Sequence, residues 1–168
     1  MKSQTLLGLL LSLLFTSSTL VGCIGDDAET LESIPDWSAV ADNNETYSKS
    51  SMIGTKHLMH FSASWCTPCR DVIHKITATL PEADYLIIST DAGDEGWENL
   101  NSWHDQVDGA NDTQDVSAPF MSESDLAKSV NIKNTPTIFI IDADGEIQAR
   151  HIGVFEDEQE IRDFWNSV

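Results

Sequence analysis

Two cysteines separated by Thr67 and Pro68, standing where an apolar run gives way to a helical pattern, constrain this chain more than anything else in it. Leu58-Met59-His60-Phe61 leads into Trp65-Cys66-Thr67-Pro68-Cys69-Arg70, and Val72, Ile73, Ile76 and Leu80 then share an apolar face that Pro81 terminates. A strand over 56–61 feeding a helix over 69–80 puts Cys66 at the helix head. There, unsatisfied N–H groups and the positive end of the helix dipole stabilise a thiolate and lower its pKa. Pro68 suits the first turn, where a missing N–H costs nothing and the fixed φ favours the helix. Cys69 lies one turn in and largely covered. Such a pair closes a small disulfide and reopens it by exchange, Cys66 attacking and Cys69 resolving. The alternative is an inert pair or half a metal site, but no second C-x-x-C exists to complete four zinc thiolates.

The rest alternates strand and helix. Tyr85-Leu86-Ile87-Ile88 is a continuous apolar run, as a parallel strand buried on both faces requires. An acidic helix is expected over 94–107, with Trp97, Leu100, Trp103 and Val107 spaced for one core-facing side. Residues 109–117 read as a polar loop, 118–121 as a short extended piece, and 122–130 as a helix capped by Ser122 or Ser124. Thr137-Ile138-Phe139-Ile140-Ile141 forms a third strand. Asp142-Ala143-Asp144-Gly145 turns it into a return strand over 146–152. A helix over 156–166 closes the chain, burying Ile161, Phe164 and Trp165. Ahead of all this, 37–40 and 46–48 flank the turn signal Asp42-Asn43-Asn44-Glu45, which predicts a short hairpin. The order of elements describes an α/β sandwich.

With Asn134-Thr135-Pro136-Thr137 as a second motif, the W-C-x-P-C run resembles the thioredoxin superfamily, in its extracytoplasmic TlpA/ResA-like branch. The resemblance implies a thioredoxin-like three-layer sandwich with an N-terminal hairpin and a strand-plus-helix insertion between the cysteines and Pro136. It implies a cis Pro136 facing the cysteines, backbone hydrogen bonds from Thr135 to a substrate strand, and Trp65 as an apolar contact beside the site. Three positions depart from the family. His60 stands where thioredoxins place a buried Asp that accepts the proton of the resolving thiol. Val72 stands where cytochrome-maturation members carry Glu, and His74 where many members carry a helix proline. Family geometry would set His60 under Cys69, as a proton carrier or as a hydrogen-bonded core histidine. His57, His104 and His151 receive no role.

Residues 1–22 read as a signal segment: Lys2, then an apolar run from Leu6 to Phe15 too short to span a bilayer. Leu20-Val21-Gly22-Cys23 is similar to a bacterial lipobox, whose cleavage leaves Cys23 lipidated. That accounts for the third cysteine. Residues 23–36 then form an acidic tether reaching about 20 Å as a flexible coil, and 37–168 the domain. The chain carries 28 Asp plus Glu against 9 Lys plus Arg. Such a balance excludes nucleic acid as a partner and attachment to anionic lipid through a basic patch, so membrane contact falls to the acyl anchor.

The expected function is that of a membrane-anchored, extracytoplasmic thiol–disulfide oxidoreductase, monomeric and without a cofactor, acting on protein thiols and disulfides. The resemblance favours a reductase fed by a membrane electron-transfer partner. Potentials in the superfamily span about −270 to −120 mV, so direction rests on the electrostatics of the site. The alternative is a copper carrier on the same fold using Cys66, Cys69 and His60 or His151, since soft thiolates suit Cu(I). Copper carriers of this fold space their cysteines differently, and the Thr-x-x-Cys setting of a peroxidase is missing.

Overall fold

The computed structural model describes residues 32–110 and 114–168. The signal segment, Cys23 and most of the tether lie outside the described residues. Apolar runs bounded by turn residues supply a six-stranded sheet. Its strands are β1 (Glu32–Ser33), β4 (His57–Ser62), β5 (Asp84–Ser89), β6 (Phe120–Ser122), β7 (Thr137–Ile141) and β8 (Glu146–Ile152), in the spatial order β1-β8-β7-β4-β5-β6. The expected hairpin forms a separate two-stranded sheet of β2 (Ser38–Val40) and β3 (Thr46–Ser48). The described residues also hold five α-helices: α1 (Lys49–Met52), α2 (Thr67–Thr79), α3 (Trp97–Asp108), α4 (Ser124–Ser129) and α5 (Glu158–Trp165).

Strand β4 runs parallel to β5 and antiparallel to β7, and all six of its residues are buried. Side chains alternate across a strand, so β4 serves two cores. Leu58 joins Ile87, Phe120, Ile138 and Ile140 beneath the apolar stripes of α2, α3 and α5. Met59 and Phe61 join Leu86, Ile88, Phe139 and Ile141 on the other face, covered by Ile34, Trp37 and residues of α4. The result is the mixed α/β sandwich expected, with a helix layer on either side of the sheet. β6 adds the extra edge strand parallel to β5.

Four local expectations are corrected. Residues 32–36, assigned to the tether, are folded: Glu32 and Ser33 pair with Ile147 and Glu146, and Ile34 is buried in the second core. Helix α3 starts at Trp97 and not at 94, because Asp91 accepts a hydrogen bond from the Gly93 N–H and closes a 3-10 turn over Ala92–Asp94. Gly96 then takes φ 99°, open to glycine at little cost, before the helix begins. Trp97 is 60% exposed while Leu100, Trp103 and Val107 are buried. Helical side chains lean toward the helix N-terminus, so one at the first position projects past the packed face. Finally, Ser122 ends β6 instead of capping α4. The N-cap of α4 is Glu123, which makes no side-chain capping bond.

Candidate active site

The register Phe61↔Thr137 brings the end of β4 and the start of β7 to one edge of the sheet. The Cys66 loop follows β4 and Pro136 precedes β7, so both motifs gather there. Cys66 is the N-cap of α2, with Thr67 and Pro68 its first helical residues; the Cys69 N–H donates to the Cys66 carbonyl at 3.1 Å. The two sulfurs form a disulfide across a Cα–Cα distance of 5.3 Å. Cys66 is 3% exposed and Cys69 1%. Cys69 is covered, as its place one turn into the helix leads one to expect; Cys66 too is nearly enclosed in this oxidised form, with exposed Trp65 beside it. The Thr135–Pro136 bond is cis. Pro136 is buried, its carbonyl accepts from the Gly153 N–H at 2.9 Å, and Thr135 is half-buried beside it.

Sequence reasoning missed the residues that grip this loop. Asp94 is 7% exposed and accepts from the Ser64 N–H at 2.9 Å, from Ser64 Oγ at 2.6 Å and from Ser89 Oγ at 2.5 Å. Arg70 donates to the Ser64 carbonyl at 3.2 Å. Every polar group of Ser64, two residues before Cys66, is therefore held. Asp91 accepts from the Trp65 indole N–H at 2.9 Å. The Gly93 N–H and that indole hold its carboxyl below the usual carboxylate range. The only sequence signal was a pair of aspartates three apart after an apolar run.

His60 sits on the β4 face that Leu58 presents to the helix layer holding α2. It is wholly buried and shares a 2.6 Å hydrogen bond with the Tyr85 hydroxyl through Nδ1, while Nε2 has no partner among the described residues. Burial pushes its pKa down to about 3. A ring that resists protonation this strongly is a poor proton carrier near neutrality, which favours the core reading. His74 serves packing between helices: its Nε2 lies 2.8 Å from the Val107 carbonyl, tying α2 to the last turn of α3. Val72 is core. His104, given no role, joins Asp42 of the hairpin turn and lies 2.7 Å from the Val116 carbonyl. Among the described residues no three His, Cys, Asp or Glu side chains gather to hold a metal, and His151, the other copper-ligand candidate, stacks on Phe155.

A family model described as a thioredoxin-like domain matches residues 44–166. The chain belongs to the thioredoxin-like family. The thioredoxin-like protein YneN of Bacillus subtilis is 29% identical over 121 residues, covering 71% of this chain and 69% of that one. Mouse nucleoredoxin is 26% identical over 131 residues, and the matched part spans 27% of its length. Among solved structures, the exposed lipoprotein thioredoxin Etrx1 of Streptococcus pneumoniae superposes with a TM-score of 0.65 at 20% identity, over 80% of this chain and all of that one. The thioredoxin-like fold therefore carries its cysteine pair at the helix head, closed as a disulfide. No helix among the described residues is long and apolar enough to cross a membrane.

Proposed function

We propose that this protein is a membrane-anchored, extracytoplasmic reductase of protein disulfides. The observation that carries the reading is the Cys66–Cys69 pair at the N-terminus of α2, bonded to each other and set at the same sheet edge as Pro136. In the reduced protein the Cys66 thiolate attacks one sulfur of a substrate disulfide, forming a mixed disulfide and releasing the other sulfur as a thiolate. Cys69, as thiolate, then attacks Cys66 Sγ. The second substrate sulfur leaves, and Cys66–Cys69 is oxidised by two electrons as the substrate gains them. A separate dithiol donor at the membrane returns those electrons, the other cysteine of the sequence, Cys23, being the one the lipobox acylates. Trp65 gives the substrate an apolar contact, and the Thr135 backbone lies where an extended substrate strand pairs. The lipobox at Cys23 supports anchoring, and a structural neighbour is itself described as an exposed lipoprotein.

A Cys69→Ser variant tests this directly. It is expected to accumulate mixed disulfides through Cys66 in a bacterial envelope, visible as dithiothreitol-sensitive bands that Cys66→Ser abolishes. No such bands from an otherwise folded protein refutes the exchange activity. A measured potential near the oxidising end, about −120 mV, refutes the reductase direction.

A further inference from the structure

A cleft of about 290 Å³ is lined by β2 and by Glu95, Trp97 and Glu123, and Glu95 directly follows the Asp94 that holds Ser64 of the disulfide loop. Trp97 and Val40 line it, 60% and 56% exposed. A second, smaller cleft of about 170 Å³ shares Glu95, Ser122 and Glu123 and extends to Ala92. That places its far end next to Asp91, the carboxylate that holds the Trp65 indole, and the Ser122 hydroxyl donates to the Asp91 carbonyl at 3.2 Å. The two clefts adjoin across Glu95, Ser122 and Glu123, and together, as one binding channel, they extend from Ala92, next in sequence to the carboxylate that holds Trp65, to Trp97. Among the described residues no Lys or Arg lines either cleft. Asp125 in the second is taken by Lys128 at 2.7 Å. Glu95 is exposed and Glu123 makes no capping bond, so an aromatic face stands beside two carboxylates free to meet a cation.

We propose that this channel binds a basic, extended segment of the disulfide-bearing protein, adjoining the cystine that Cys66 attacks. The inference rests on the exchange activity proposed above. The chemistry selects Lys or Arg side chains. Their methylene stems pack on Val40 and the edge of β2, their charged ends meet Glu95 and Glu123, and either cation is attracted to the face of Trp97. An acidic segment meets only like charge there, so the channel also discriminates.

The test uses three disulfides offered to the reduced full-length protein in single-turnover mixing: neutral hydroxyethyl disulfide, and two cyclic cystine peptides identical except for three flanking Lys or three flanking Glu. Oxidation of the protein is followed by tryptophan fluorescence. At about 0.02 M salt the Lys peptide is expected to react at least tenfold faster than the Glu peptide. Because the whole molecule is acidic, local and diffuse effects are separated by two double variants. Glu95→Gln with Glu123→Gln removes channel charge; Glu82→Gln with Asp144→Asn removes the same charge at the opposite edge of the sheet. The channel variant is expected to cut the Lys advantage at least fivefold, the remote variant by less than twofold. Trp97→Ala, at an exposed position, is expected to slow the Lys peptide at least threefold and to leave hydroxyethyl disulfide unchanged. Equal losses in the two double variants, or equal rates for the two peptides, overturn the channel while reaction with hydroxyethyl disulfide keeps the exchange activity standing. Failure of all three disulfides overturns both.

Discussion

Ser64 has no chemistry of its own, yet all three of its polar groups are engaged, two of them by one buried carboxylate. Asp94 therefore acts as the positioning residue of the loop that delivers Cys66. Asp94→Ala leaves the Ser64 N–H and Ser64 Oγ without their acceptor and Ser89 Oγ with only the Asp91 carbonyl at 3.3 Å, and losing a hydrogen bond to a charged group costs about 1.5–3 kcal/mol. Urea denaturation should show a loss in that range together with slower exchange; an unchanged midpoint would rule out the clamp. Two histidines give opposite pH signatures. Burial lowers the folded-state pKa of His60, so the unfolded chain binds the proton first, and this residue costs stability as pH falls from about 6.5 toward about 3. His104 is also partly desolvated, but the Asp42 carboxylate and the Val116 carbonyl outweigh that and raise its pKa. Both ring nitrogens face acceptors, which only the imidazolium satisfies. Its contribution is complete below pH about 6.5 and is lost as pH rises through the raised value. Melting temperatures between pH 4 and 8 should therefore fall less toward alkali in His104→Gln than in the parent, and less toward acid in His60→Gln. Parallel curves for all three proteins would contradict both assignments.

At the level of elements, the longest apolar runs were legible because burial on both faces leaves no polar positions to confuse the period: β5 and β7 lie where their sequences place them. The redox pair was legible for a different reason, since cysteine spacing and Pro68 encode the helix head locally. What failed was decided by tertiary contact. Trp97 has the spacing of a core residue, but position in a helix turn, not spacing, sets whether a face is covered. The grip of Asp94 on Ser64 spans 30 residues and joins two polar types that read as loop. β1 was illegible because a two-residue edge strand carries no period at all. Its anchor is Ile34, 1% exposed among Trp37, Phe139 and Ile141. Ile34→Ala is predicted to cost about 2–4 kcal/mol, as for other buried large-to-small changes. A chain starting at Trp37 should lose at least as much as that variant, whereas one starting at Glu32 should not. Equal stability of these two truncated chains in chemical denaturation would restore the tether to residue 36.

For the whole molecule the governing quantity is charge. A formal net charge of −19 on 168 residues favours solubility and opposes compaction, because folding concentrates carboxylates that the unfolded chain holds apart. Ion pairs relieve little of it. Lys128–Asp125 and Arg162–Glu158 are surface pairs one helical turn apart, in a class worth roughly 0–1 kcal/mol each. Salt weakens both the repulsion and these pairs, so whichever of the two is stronger sets the sign. With 28 acidic residues against 9 basic ones, most carboxylates have no cation to lose, and repulsion dominates. Raising ionic strength from about 0.01 to 0.5 M shortens the screening length from about 30 Å to under 8 Å, from the scale of the domain to that of neighbouring side chains. The melting temperature should therefore climb, by about 3–8 °C for a gain of 1–2 kcal/mol in a domain of this size. Neutral sucrose, which strengthens burial without screening, separates that effect from general exclusion. If sodium chloride lowers the melting point at constant pH, the paired charges outweigh the unpaired ones and the acidic surface stabilises the fold.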